Sequence, residues 1–134
     1  MIGDGHNFVR TMLSLAERGV DPSVVDDQFG RLTFTSELAR AIRHLTTTGA
    51  PYGTYNVTGS GPATSWADIA RRVFELTGHD PARVTGVSTE AYFASATSAV
   101  APWPRNSVLD NQKLVATGFT PEEADNSLSR YLGE

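Results

Sequence analysis

The sequence predicts an α/β fold of helices interleaved with short parallel strands. Stretches with apolar residues at helical spacing alternate with short β-prone runs, and each helical stretch carries its own start and stop signals. The 134 residues contain no cysteine, so one compact domain over 1–134 must be held by its hydrophobic core alone.

Asn7 stands at an N-cap position, Phe8, Met12, Leu15 and Ala16 recur on one helical face, and Gly19 follows the last turn. Ser23 to Asp26 reads as a strand. Leu38, Ala41, Ile42 and Leu45 form a second apolar stripe, opened by Thr35 or Ser36 and closed by Gly49. Gly53 to Thr58 reads as a strand. Ser65 with Asp68 three residues on is a variant capping box, after which Trp66, Ile69, Ala70 and Val73 turn inward and Gly78 ends the helix. Arg83 to Ser88 follows as a strand. Residues 94–104, small and with two prolines around Trp103, lack any period and read as an ordered loop or lid. Ser107 to Leu109 is a further strand, and Asn111 to Thr117 a short helix capped by Asp110 and ended by Gly118. Thr120-Pro121-Glu122-Glu123 reads as a capping box with proline at the first helical position, burying Ala124, Leu128, Tyr131 and Leu132.

Composition excludes several functions. Without cysteine there is no disulfide, thiol nucleophile or Cys-ligated metal, a pattern that leans toward a reducing, cytoplasmic setting. A net charge of −4 without any basic run argues against a nucleic acid partner. No apolar run reaches the roughly 18 residues of a membrane span, and the first six residues lack the regions of a signal peptide.

Few residues assemble into a complete site. Gly59-Ser60-Gly61-Pro62-Ala63-Thr64 follows a β-prone run and opens a helix, like a phosphate-binding glycine turn, but the third glycine is Thr64 and Pro62 removes an amide, so it reads as a structural turn. His6, His44 and His79 lack metal-ligand spacing, and Asp26 and Asp27 point to opposite faces of a strand. Polar residues in loops remain. Asn7 either caps its helix or offers its amide to a ligand, while Gln28 has the donor and acceptor a sugar or phosphate edge requires. Arg105, Asn106 and Ser107 gather a charged fork, an amide and a hydroxyl as an anion or polyol site would. Trp66 lies on an apolar stripe and reads as core, whereas Trp103 could serve as a stacking platform.

Four motifs, in order, carry a resemblance: Gly5-His6-Asn7-Phe8-Val9-Arg10-Thr11-Met12; Val25-Asp26-Asp27-Gln28-Phe29-Gly30-Arg31-Leu32-Thr33; Gly53-Thr54-Tyr55-Asn56-Val57-Thr58-Gly59-Ser60-Gly61, leading to Thr64-Ser65-Trp66; and Pro104-Arg105-Asn106-Ser107-Val108-Leu109-Asp110. The chain resembles the C-terminal portion of the dTDP-4-dehydrorhamnose reductase family, extended short-chain dehydrogenase/reductases. The resemblance implies a fragment: the small lobe that binds the dTDP-sugar, lacking the N-terminal Rossmann domain that binds NADPH and carries the catalytic Tyr-x-x-x-Lys. It implies an oxidoreductase of dTDP-rhamnose biosynthesis that reduces the 4-keto group of dTDP-4-dehydro-L-rhamnose, with no reductase activity in this piece alone. It also implies a possible homodimer, with Mg in some members, although no carboxylate cluster places the metal here. By this resemblance Asn7, Gln28, Arg105, Asn106 and Ser107 are the substrate-binding candidates, with no catalytic or cofactor-binding residue in the chain. Two positions depart from the family pattern: Trp103 where arginine commonly precedes the proline, and Leu32 where proline commonly precedes Thr33. A non-catalytic regulatory relative and another nucleotide-sugar reductase or epimerase are the competing readings.

Overall fold

Asn7 accepts the Arg10 amide at 3.1 Å through its side chain, so the first helix, α1 (Phe8–Glu17), begins where its cap placed it. The computed structural model describes residues 1–133 and continues with β1 (Ser23–Val25), β2 (Phe29–Gly30), α2 (Thr35–Thr47), β3 (Thr64–Ser65) and α3 (Trp66–Leu76). After a single 3-10 turn at Pro81–Arg83 come β4 (Thr85–Val87), α4 (Thr89–Phe93), α5 (Gln112–Val115) and α6 (Ala124–Gly133). The contacts divide the chain into two compact units: one from Met1–Gly5, Arg31–Pro62 and the chain from Val108 onward, the other from His6–Gly30 and Ala63–Ser107.

In the second unit β1 and β4 pair in parallel, Val24 opposite Gly86, as the alternation of helices and strands predicts. Helix α3 packs on α1 and on β1, where Val9, Val73 and Phe74 are fully enclosed. Ser65 caps α3 by accepting the Asp68 amide at 3.1 Å, and its hydroxyl also donates to the Asp68 carboxylate at 2.7 Å. A Cβ at Gly86 would lie 2.6 Å from the Asp26 carboxylate, so any larger residue there must move the Asp26 side chain. Arg83 clamps the end of α1 from the other side of the unit's sequence, donating to Asp21 at 2.7 Å and to the Val20 carbonyl at 3.0 Å while lying 5.1 Å over the Phe74 ring.

The first unit is built around Ala41, Leu114 and Phe119, with Leu45, Tyr55 and Val57 packed against them. Ile2 pairs with Phe34 in a parallel bridge. Glu37, 3% exposed, is the polar hinge: its carboxylate pairs with Arg40 and accepts the Glu122 amide at 2.9 Å. Lys113, the single lysine, lies 4.6 Å over the Tyr55 ring and donates to the Thr54 carbonyl.

Several expectations are corrected. Gly53 to Thr58 is not a strand: Asn111 donates to the Thr58 carbonyl and Asn56 to that of Asp110, so side chains do the work of a ladder. Thr120 to Glu123 does not open a helix. Ser60 donates its amide to the Glu122 carbonyl and accepts from the Ala124 amide, a long-range pairing that outcompetes the local capping box, and α6 starts at Ala124. Helix α2 begins at Thr35 after Phe34, which has no side-chain cap, and Ile42 is 55% exposed because the buried face turns on Glu37 and Ala41. Ser107 to Leu109 forms no strand, Asn106 instead making a parallel bridge to Phe29. Beside the parallel pair, β2 and β3 form a two-residue antiparallel pair.

Replacing Glu37 by alanine leaves the part-buried Glu122 amide without its acceptor and is expected to cost about 2 kcal/mol in urea denaturation. Glu75→Ala, which removes only the outward Arg72 pair, should cost under about 0.5 kcal/mol in the same assay.

Candidate functional site

Within the second unit, α1, β1, α3, α4 and the proline-rich loop enclose an open cavity of about 190 Å³. Five aromatic rings, those of Phe8, Trp66, Tyr92, Phe93 and Trp103, wall it together with Met12 and Val24, and Gln28 brings an amide to the wall. Phe8 and Trp66 meet edge to face at 4.8 Å, and Tyr92 and Phe93 do so at 5.0 Å, which fixes the ring planes. Trp103 is 63% exposed, so it presents a free face where the loop crosses the opening. Trp66, expected in the core, is half-buried and belongs to this wall.

Four of the five substrate-side candidates converge on the edge of β2. The Phe29 amide donates to the Arg105 carbonyl at 2.8 Å, and the Ser107 amide and hydroxyl donate to the Phe29 carbonyl at 2.9 and 3.1 Å. Arg105, Asn106 and Ser107 are thereby laid along Phe29, directly after Gln28 in sequence, and all three are exposed. Ser107 spends its hydroxyl on this pairing. Asn7 is set one residue before the cavity-lining Phe8, where its side-chain oxygen is occupied as the cap of α1.

Gln28 is buried, and its Nε2 donates to the Thr89 hydroxyl at 3.0 Å. Thr89 in turn gives its amide, at 2.9 Å, and its hydroxyl to the Asp27 carboxylate. The hydroxyl bond from Thr89 holds the Asp27 carboxyl below its ordinary value of 3.8 against a partial desolvation, aided by the Thr89 amide and by the charge of Arg105. Sequence reasoning set Asp27 aside on geometric grounds and missed Thr89, whose neighbour Ser88 caps α4 in a visible Ser-Thr-Glu run. Nothing local in that run points 62 residues back to Asp27.

The glycine turn of the other unit does not fit a dinucleotide. The Ser60 amide is spent on the Glu122 carbonyl, the Gly61 carbonyl on the Arg31 side chain at 2.8 Å, and Pro62 has no N–H to offer. Among the described residues no three acidic or histidine side chains gather as metal ligands.

Two consequences are measurable. A Cβ at Gly30 would lie 2.7 Å from the Ser107 hydroxyl, so Gly30→Ala should break the Ser107 bond to Phe29 and cost about 1 kcal/mol in thermal unfolding. Because the folded Asp27 value is depressed, its stabilising contribution is complete above pH 3.8 and is lost as pH falls through the lower folded value. Thr89→Val should raise the Asp27 titration toward 3.8, read from its carboxyl carbon by NMR, and make the acid loss of stability less steep.

Known proteins resemble this chain over most of its length. A spore coat polysaccharide biosynthesis protein, SpsK of Bacillus subtilis, is 37% identical over 130 residues, covering 97% of this chain and 43% of that protein. The dTDP-4-dehydrorhamnose reductase of Streptomyces griseus is 39% identical, covering 87% of this chain and 38% of its own length. Among solved structures, a dTDP-4-dehydrorhamnose reductase of Clostridium acetobutylicum superposes with a TM-score of 0.85 at 37% identity, over 98% of this chain and 45% of that one. The reductase of Bacillus anthracis, solved in complex with NADP, gives 0.82 at 30% identity, over 98% of this chain and 44% of that one. The chain thus spans less than half the length of these relatives. The RmlD substrate binding domain matches from residue 2 to residue 134, and the chain belongs to that family.

Proposed function

We propose that residues 1–134 are the nucleotide-sugar-binding portion of an NADPH-dependent dTDP-4-dehydrorhamnose reductase, which converts dTDP-4-dehydro-L-rhamnose to dTDP-L-rhamnose. The observation that carries the reading is the cavity walled by five aromatic rings beside Gln28, in the same unit as the exposed Arg105–Ser107 run. Flat aromatic walls take a pyrimidine or the apolar face of a sugar, and an exposed guanidinium takes a diphosphate. Family membership and relatives named dTDP-4-dehydrorhamnose reductase support the same substrate class.

On this reading the chain contributes binding and orientation. Trp103 and the Tyr92–Phe93 pair cover the ligand and keep water from it, Arg105 neutralises the diphosphate, and Asn106 reaches polar edges of the ligand. NADPH supplies the hydride, held by the part of the reductase that these residues do not represent, and the proton donor belongs there too. Binding energy gathered here at groups remote from the reacting carbonyl then serves the chemical step by orienting the sugar.

Relatives extend to a dTDP-4-keto-6-deoxy-D-glucose reductase of Streptomyces niveus, 38% identical over 117 residues. The sugar accepted is therefore read as a dTDP-4-keto-6-deoxyhexose, with the rhamnose precursor as the leading member.

Calorimetric titration of the chain with dTDP-L-rhamnose tests the assignment. Binding tighter than that of UDP- or GDP-sugars is expected, with Arg105→Ala weakening it roughly tenfold while leaving the unliganded melting temperature unchanged. Equal affinity for all three nucleotides, or indifference to Arg105→Ala, sinks it.

A further inference from the structure

We propose that Asp27 and Thr89 are positioning residues that fix the Gln28 amide so that its carbonyl oxygen is the group offered to the cavity. The site thereby reads a hydrogen-bond donor on the ligand, the imide N–H of a thymine ring. The proposal rests on the nucleotide reading of the cavity and adds the atom that would receive the base.

An ionised carboxylate can only accept, so the Thr89 hydroxyl proton at Asp27 Oδ1 is committed to it. The Thr89 oxygen then has only lone pairs left for Gln28, 3.0 Å away, and Gln28 must turn its NH₂ toward it. Oxygen and nitrogen branch from one planar carbon, so orienting Nε2 orients Oε1 as well. The Thr89 amide, donating to the same carboxylate at 2.9 Å, holds the relay in place where α4 begins. Gln28 makes this one side-chain hydrogen bond, and its Oε1 is not sealed away: Asn111 Oδ1 is the enclosed side-chain polar atom left without a partner among the described residues. Gln28 is 7% exposed and lines the cavity, so an acceptor meets the ligand there inside an aromatic, water-poor wall. In such surroundings an acceptor facing an N–H is favoured, and one facing a methyl group or another lone pair is penalised by its unmet hydrogen bond. Sequence neighbours alone could not make this choice, because a free glutamine amide flips to suit either partner.

The test compares dTDP with N3-methyl-dTDP on three forms of the chain. Wild type should bind dTDP about tenfold more tightly than the methylated nucleotide. Thr89→Val, which removes the hydroxyl but keeps the shape, should bring the two within about twofold, and Thr89→Ser should restore the preference. Binding of dTDP with the same preference in all three forms overturns the positioning role, and equal binding of the two nucleotides by wild type overturns the donor assignment. Binding of neither nucleotide overturns the nucleotide reading of the cavity and the donor assignment with it. The relay is read without any ligand by NMR. The chain has two glutamines, and the NH₂ protons of Gln28 should exchange with water more slowly than those of exposed Gln112, a difference Thr89→Val abolishes. Equal exchange in the wild type overturns the relay itself.

Discussion

Phe29 is the pivot of the unit formed by His6–Gly30 and Ala63–Ser107. Through one residue of backbone it pairs with Ser65 on one side and, by its bonds to Arg105 and Ser107, with Asn106 on the other. The chain between α4 and Arg105 contains no regular element to hold it, so this single line of backbone bonds fixes the C-terminal end of the proline-rich loop. Strands of two or three residues supply few ladder bonds, and irregular backbone must be satisfied elsewhere. Phe29 concentrates that satisfaction at the point where sequence-distant candidates need to meet.

Carboxylates do a comparable job throughout the molecule. Glu37 receives a loop amide, Asp27 receives the first amide of α4, Asp68 receives the Ser65 hydroxyl, and Glu122 takes both Ser127 and a bidentate Arg130. The hydrogen bonds at Asp27, Asp68 and Glu122 favour the charged form of each, led by Thr89, Ser65 and Arg130 respectively. An acidic composition therefore does not only decorate the surface. Several of its charges are acceptors for backbone or hydroxyl groups that short strands leave without partners, and these are the charges whose loss is felt in the fold rather than in solubility.

What the sequence made legible was local. Asn7 and Ser65 act as caps within three residues of their partners, so spacing alone reveals them, whereas α5 is entered through Asn111 with Asp110 one residue earlier accepting the Gln112 amide; the parallel pairing of β1 with β4 follows from alternation of elements. Where two local signals competed with a distant partner, the distant partner prevailed: Thr120 to Glu123 has good capping chemistry, yet Ser60 takes its backbone. The pairing of β2 with β3 covers two residues, too few for any alternation to show. The substrate-side candidates were visible as polar residues in loops and through family motifs, but their convergence on Phe29 is a long-range fact. Thr89 escaped notice for the same reason, since its bonds to Asp27 and Gln28 span about sixty residues and no motif joins those segments.

The proline-rich loop is tied down at both ends, by the Ser88 cap and Thr89 bonds at one and by the Phe29 pairing at the other, while residues 94–104 between them are exposed throughout. A segment tethered in this way behaves as an exchangeable cassette. Its interior can change in length or composition, and with it the covering face supplied by Trp103, at little cost to the scaffold, because no core contact or strand register depends on it. Changes confined to that loop therefore have a path that need never pass through an unstable intermediate.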